Sequence, residues 1–134
     1  MYAVVSDRED DEIRTRNRMS STAAVVVLVT WPEDADVREF ARALVEARVA
    51  ACVSALPPMD SWFRWDGAID QGRERQLLIK TRMGRVDELR RTVRDLHPYD
   101  TPEFLVLPVS AGDERYLSWI AAAVEPAASP TPEP

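Results

Sequence analysis

Eight consecutive residues, 96–103, concentrate side chains that can bind a cation or move a proton. The segment reads Leu96-His97-Pro98-Tyr99-Asp100-Thr101-Pro102-Glu103 and holds the only histidine of the chain. Imidazole nitrogens and carboxylate oxygens are common metal ligands, and a tight site needs roughly three or four of them. We therefore predict that His97, Asp100 and Glu103 supply metal ligands at a subunit junction, where symmetry-related copies complete the set.

The same segment has a structural explanation, which stays open at this point. His97 ends a helix in that reading, because the residue before a proline avoids the α region, and its ring hydrogen-bonds a neighbouring backbone. Tyr99 and Glu103 either form a functional pocket on a loop between two rigid elements, or belong to a turn fixed by Pro98 and Pro102. In the turn, Glu103 pairs with an arginine.

Aromatic residues in the middle of the chain form a second group of candidates. Trp62, Phe63 and Trp65 either line a ligand cleft or pack between subunits, since aromatic side chains dominate interface cores. In the cleft alternative, Lys80 and Arg64 hold an anion.

Composition limits the class of protein. A length of 134 residues predicts one domain, and a net charge of −6 argues against nucleic-acid binding, which needs a basic face.

Cys52 is the only cysteine, so it is either a soft copper(I) ligand or a small buried apolar side chain. No apolar run is long enough to span a membrane, and the N-terminus lacks the apolar core of a signal peptide. We predict a cytoplasmic protein without a membrane partner.

Hydrophobic periodicity predicts the elements that position these residues. A β-branched strand (23–30) precedes an amphipathic helix that begins at Glu33 or Asp34. A strand (51–56) is interrupted by two prolines and resumes at 61–65, and a third strand follows at 76–81. A second helix ends at His97, a fourth strand covers 104–109, and Gly112-Asp113 caps a last helix.

The dipeptide Asp66-Gly67 predicts a tight hairpin turn between the second and third strands. Trp65 would then lie opposite Ala68, and Cys52 opposite Thr81. Each arm would far exceed the usual strand of roughly 5–6 residues. Because long exposed edges invite pairing with another chain, the hairpin predicts oligomerisation.

The order β-α-β-β-α-β predicts an α+β, ferredoxin-like fold. It is one antiparallel sheet with two helices on one face, an uncovered opposite face and a C-terminal helix. We assign the folded domain to residues 22–124. The charged segment 1–21 and the proline-rich tail 125–134 are predicted to be disordered.

Several pieces of this chain resemble the CutA divalent-cation tolerance family over roughly residues 23–124. They are Val27-Leu28-Val29-Thr30 with Pro32, Ala41-x-x-Leu44-Val45, Val49-Ala50-Ala51-Cys52-Val53, Trp62-Phe63-Arg64-Trp65-Asp66-Gly67, Leu78-Ile79-Lys80-Thr81, His97-Pro98-Tyr99-x-x-Pro102-Glu103 and Tyr116-Leu117-x-Trp119-Ile120.

The resemblance implies a ferredoxin-like homotrimer that functions in the response to metal ions and binds copper or another divalent cation weakly, with no required cofactor. It also implies a copper site made by a first-strand cysteine and a histidine. Here Val29 and Trp31 stand at the first-strand position, so His97 alone matches.

Two other functions remain open. One is a small-molecule-sensing signalling trimer with an effector in its intersubunit clefts, and the other is a structural assembly platform. We predict no enzyme, since the chain has neither a nucleophile elbow nor a glycine-rich phosphate loop.

Overall fold

The computed structural model describes residues 20–127. The predicted disorder of residues 1–19 and 128–134 lies outside the described residues. At the edges of the described part, the Gly84 amide donates to the Ser21 carbonyl at 2.8 Å, and Arg82 pairs with Glu125 at 3.2 Å. Residues 21 and 125 are therefore attached to the domain, beyond the predicted limits of 22 and 124.

Five strands and three helices make up the described chain. Their bounds are β1 Ala24–Pro32, α1 Arg38–Glu46, β2 Cys52–Ala55, β3 Met59–Trp65, β4 Ala68–Arg82, α2 Val86–Leu96, β5 Leu105–Pro108 and α3 Glu114–Ala123, with a 3₁₀ turn at Met83–Arg85. The α+β class, the antiparallel sheet and the three helices are confirmed. The ferredoxin-like assignment and the homotrimer stay predictions.

The long strand β4 organises the sheet. The strand order is β2-β4-β1-β5, and β3 pairs with the first half of β4, all antiparallel. The turn between β3 and β4 has φ of 52° at Asp66 and 77° at Gly67, as a two-residue hairpin turn requires. Trp65 lies opposite Ala68, so the predicted turn is confirmed.

The predicted register holds from the turn to Met59, which lies opposite Glu74, but it is wrong by one residue in β2. Cys52 lies opposite Lys80 rather than Thr81. Ala55 pairs with Leu77 and Met59 with Glu74, so the three residues 56–58 face only the two residues 75–76. This is a β-bulge, and it falls at two prolines that cannot donate ladder hydrogen bonds.

The first helix begins later than predicted, at Arg38 rather than at Glu33 or Asp34. The Glu33 amide still continues the ladder, donating to the Arg73 carbonyl at 3.2 Å, and residues 33–34 form a turn before the helix. The Asp36 carboxylate accepts from the Arg38 amide at 2.9 Å and marks the new start.

One face of the sheet is packed against α1 and α2. Alternate residues of β1 and β4 point to this face, as the two-residue period of a strand requires. The fully buried core comprises Val25, Val27, Val29, Leu44, Leu77, Ile79, Leu89 and Val93. Because each buried leucine or valine contributes roughly 1.5–3 kcal/mol, this layer holds the two helices on the sheet.

The opposite face is covered only in part. Helix α3 packs Ile120 and Val124 against Ala24 and Ala51 at one end, so the prediction that this face is uncovered is wrong there. The remainder, which we call the open sheet face, consists of Val26, Leu28, Leu78, Leu105 and Leu107. Leu105 and Leu107 are exposed by 52% and 45%, so apolar surface remains in contact with solvent.

Candidate functional site

His97 anchors the loop that follows α2. Its side chain is buried, and its Nε2 lies 2.7 Å from the Thr30 carbonyl oxygen, while its Nδ1 accepts a hydrogen bond from the Tyr99 amide at 3.0 Å. A carbonyl only accepts and an amide only donates, so the ring is the neutral tautomer with its proton on Nε2.

The surroundings of His97 favour this neutral form. Burial lowers its pKa from the ordinary value of 6.5, although the Thr30 carbonyl and the negative charge of Glu74 oppose the shift. The ring also packs edge-on against Trp31, with 5.1 Å between centroids. His97 is therefore a structural anchor in this conformation.

Metal ligation by His97 would require one of its two hydrogen bonds to break, because a ligand must present a free nitrogen lone pair. Within residues 20–127, no group of three or more histidine, cysteine or acidic side chains is arranged to hold a metal ion. The predicted set of His97, Asp100 and Glu103 thus stays a prediction that depends on ligands from another copy.

A cleft of about 750 Å³ lies between the β3–β4 hairpin and the loop 98–103, and we call it the acidic cleft. Its lining consists of Thr30, Met59, Ser61, Trp62, Phe63, Trp65, Asp70, Glu74, Gln76, Pro98, Tyr99, Asp100, Thr101 and Glu103. Asp70, Glu74 and Gln76 reach it together because residues two apart on β4 share a face.

Four carboxylates line the acidic cleft, from Asp70, Glu74, Asp100 and Glu103, whereas no lysine or arginine does. Six ion pairs occur among residues 20–127, and none includes these four groups. Glu103 accepts instead from the Gln76 amide at 2.9 Å, not from an arginine as the turn alternative supposed. The cleft therefore concentrates negative charge that the described chain does not neutralise.

Exposed aromatic rings form one wall of the acidic cleft. Trp62 and Trp65 are each 66% exposed, Phe63 is 41% exposed, and Tyr99 is 40% exposed. Burial, together with the negative charges of Glu74 and Asp34, raises the pKa of Tyr99, so its hydroxyl stays protonated. A hydroxyl donor and large apolar surfaces are thus available beside the carboxylates.

The structure divides the predicted site residues into two places. The acidic cleft is lined by Tyr99, Asp100, Glu103, Trp62 and Trp65. His97 lies outside the lining and attaches the loop 98–103 to β1 through the Thr30 carbonyl. Asp70, Glu74 and Gln76 were not predicted from the sequence, because their position depends on cross-strand pairing. Their alternation with Gly72 and Leu78 along β4 is the one signal that could have placed them on a common face.

Lys80 and Cys52 lie outside the cleft, at the end of the sheet near α3. Lys80 donates to the Tyr116 hydroxyl at 3.2 Å, and this bond raises the pKa of Lys80. Cys52 is half-buried opposite Lys80, with its Sγ 3.6 Å from the Ser54 hydroxyl. Arg64 is likewise absent from the cleft lining, so the anion site proposed with Lys80 and Arg64 does not form in this cleft.

No helix in the described part of the chain is both long and apolar enough to cross a lipid bilayer.

Comparisons with known proteins connect this chain to a family. The model of the family described as "CutA1 divalent ion tolerance protein" matches residues 25–123. A divalent-cation tolerance protein CutA from Pectobacterium atrosepticum is 46% identical over 101 residues, which cover 75% of this chain and 92% of that protein.

Solved structures of CutA proteins have a similar fold. CutA from Xylella fastidiosa is 37% identical, with a TM-score of 0.74, over 77% of this chain and 99% of the other. The Cut A1 protein from Thermus thermophilus is 41% identical, with a TM-score of 0.70, over 72% and 94%.

Proposed function

Since this chain belongs to the CutA1 divalent ion tolerance family, we propose that it acts in divalent-cation tolerance as a homotrimer that binds a divalent cation weakly in the acidic cleft. The observation that carries the proposal is the set of four cleft carboxylates without an ion pair in the described chain. The proposed role is binding rather than catalysis, in the cytoplasm.

Ligand chemistry supports carboxylates rather than His97 as the primary contacts. Carboxylate oxygens suit hard cations such as Mn²⁺, Mg²⁺ and Ca²⁺, whereas copper favours imidazole. Both ring nitrogens of His97 are already hydrogen-bonded, but Asp100 and Glu103 face the cleft. Because one described chain does not gather three converging ligands, the affinity should be low unless a second copy contributes.

The open sheet face supports the trimer. Its exposed leucines and the long β3–β4 hairpin leave apolar surface and an unpaired strand edge in the single described chain. Such edges invite pairing with another chain, and burial of this face between copies would remove the exposed leucines from water.

Calorimetric titration tests the cation site. Mn²⁺ should bind the wild type, and Glu103→Gln should weaken binding by about tenfold, because it removes one anionic oxygen ligand from the cation. Glu39→Gln, an exposed carboxylate on α1, should change nothing. Equal Mn²⁺ affinity in all three proteins would reject the site. In a parallel Cu²⁺ titration, binding that is lost on substitution of His97 but not of Glu103 would show that the histidine, not the carboxylates, is the ligand.

A second candidate function is the effector-sensing trimer. The acidic cleft, at about 750 Å³, is far larger than a bare ion needs and falls in the size range of small-molecule sites. Its exposed aromatic wall favours an organic ligand.

A further inference from the structure

The acidic cleft combines two features that recognise a positively charged organic molecule. Its wall presents the faces and edges of exposed tryptophan, phenylalanine and tyrosine rings. Aromatic rings attract ammonium and guanidinium groups that lie over them, and the attraction is strongest when the ring is that of tryptophan. The volume of about 750 Å³ leaves room for a chain of several carbon atoms beside these rings.

The charge of the lining excludes an anionic ligand. Four carboxylates line the cleft, and no basic side chain in its lining offsets them. A second groove of about 550 Å³, between α2 and β5, differs in this respect, since Arg90 and Arg94 line it together with Asp87 and Asp100. Nucleotides and phosphorylated compounds would therefore be repelled from the acidic cleft but not from the second groove.

Six carboxylates elsewhere in the described chain lie in ion pairs with arginine, whereas others, such as that of Glu39, do not. Arg73, for example, lies 2.9 Å from Glu33 and 3.1 Å from Asp60, just outside the cleft on the same hairpin. Glu74, the next residue, points into the cleft and has no such partner within residues 20–127. A cationic ligand would supply the counter-charge that the lining of the cleft lacks.

We propose that the acidic cleft binds an aliphatic amine with two or more ammonium groups, whose charges pair with the cleft carboxylates while its methylene chain lies along Trp65 and Tyr99. The proposal rests on the effector alternative of the proposed function, since it assumes that this cleft is a binding site. It names the chemical class of that effector, which the family does not supply.

A matched pair of probes tests the proposal on the intact protein. Calorimetric titration with 1,4-diaminobutane is compared with 1,4-butanediol, which has the same carbon chain without the charges. The diamine should bind and the diol should not. Binding of both probes with similar affinity, or of neither, would overturn the proposal, and the latter result is also what a second copy filling the cleft would produce.

Variants distinguish specific binding of the diamine in the cleft from its non-specific attraction to an acidic protein. Glu74→Gln and Trp65→Leu should each weaken diamine binding by about fivefold, the size of one charge pair or cation–π contact. Glu39→Gln and Trp119→Leu, whose side chains lie outside the cleft lining, should leave it unchanged. If Trp65→Leu has no effect, the diamine is attracted by net charge alone and the proposal fails.

Mn²⁺ titrated into the same samples distinguishes this proposal from the proposed function. Binding of Mn²⁺ without the diamine overturns the amine proposal and leaves the cation site standing. Binding of the diamine without Mn²⁺ supports the amine proposal and rejects the metal site.

Discussion

His97 Nε2 donates a hydrogen bond to the Thr30 carbonyl across 2.7 Å and thereby joins the end of α2 to the edge of β1. The pairing of β1 with β5 stops at Leu28 and Leu105, so Thr30 lies beyond it on an edge that β5 does not reach. The loop 98–103 occupies that edge, and His97 fixes it there. This bond, the bond from the Tyr99 amide to His97 Nδ1 and the bond from Gln76 to Glu103 together position Tyr99 and Glu103 in the acidic cleft.

The burial of His97 predicts a pH dependence of stability. Its pKa is lowered in the folded state, so the unfolded chain binds the proton more readily. The free energy of unfolding should be constant above pH 6.5 and fall as the pH drops below 6.5 towards the lowered folded-state value. Urea midpoints measured across this range at fixed protein concentration give the slope.

His97→Gln serves as the control for this titration. Glutamine keeps an N–H donor for the Thr30 carbonyl but does not titrate, so this variant should lose the part of the pH slope that comes from His97. His97→Ala should lose the same slope and in addition roughly 2–4 kcal/mol, because it removes a buried ring and leaves the Thr30 carbonyl without its donor. An unchanged slope in His97→Gln would assign the titration to other groups.

The open sheet face predicts which leucine controls assembly. Leu105→Glu places a charge on that face and should dissociate the proposed trimer into smaller species in light scattering at micromolar concentration. Leu96→Glu, at the end of α2 and similarly exposed at 47%, should leave the assembly intact. A wild type that scatters as a monomer, or equal effects of the two variants, would contradict the use of this face.

The hairpin turn predicts a difference between two glycines. Gly67 has φ of 77°, and a Cβ there meets no atom within 4 Å, so Gly67→Ala should cost only the backbone strain of about 1 kcal/mol. Gly72 has no positive φ, and its Cβ would lie 3.5 Å from Phe63, an ordinary contact. Gly72→Ala should therefore stay within about 0.5 kcal/mol in denaturant unfolding. The reverse order of the two losses would show that the turn does not require a left-handed residue.

The cap of α3 predicts a third stability change. One carboxylate oxygen of Asp113 accepts from the amides of Arg115 and Tyr116, at 3.0 and 3.1 Å. Asp113→Ala should destabilise the protein by about 1 kcal/mol, and Asp113→Asn should restore most of the loss, since asparagine also caps helices. Thermal unfolding at fixed concentration measures both, and equal midpoints for the alanine variant and the wild type would show that this cap is dispensable.

Local signals predicted much of this fold. Asp66-Gly67 specified its turn, because few dipeptides adopt two positive φ values, and Asp113 specified the start of α3. The register at Cys52 could not be predicted, since Pro57 and Pro58 indicate an interruption of the ladder but not how many extra residues it contains. Helix α3 covers part of the sheet face opposite α1 and α2 by packing Ile120 and Val124 on it. Periodicity shows which side of α3 is apolar but not which part of the sheet it contacts.

The candidate site divides in the same way. Tyr99, Asp100 and Glu103 were found because their chemistry is concentrated in one segment. Asp70 and Glu74 were missed because they join that segment only through the pairing of β4 with β1 and β3. The chemistry of His97 drew attention to it, but its role as an anchor depends on the Thr30 carbonyl, 67 residues away along the chain.

Sensitised terbium luminescence tests the central claim, that the acidic cleft binds cations, most directly. Tb³⁺ is a hard cation that prefers carboxylate oxygens, and it emits when an excited tryptophan lies within a few ångströms. We predict emission in the wild type and in Glu39→Gln, and loss of most of it when Glu103→Gln is combined with Asp100→Asn or when Trp62→Leu and Trp65→Leu together remove the two indoles of the cleft. Emission of equal strength in all four proteins would place the bound ion elsewhere and contradict the account.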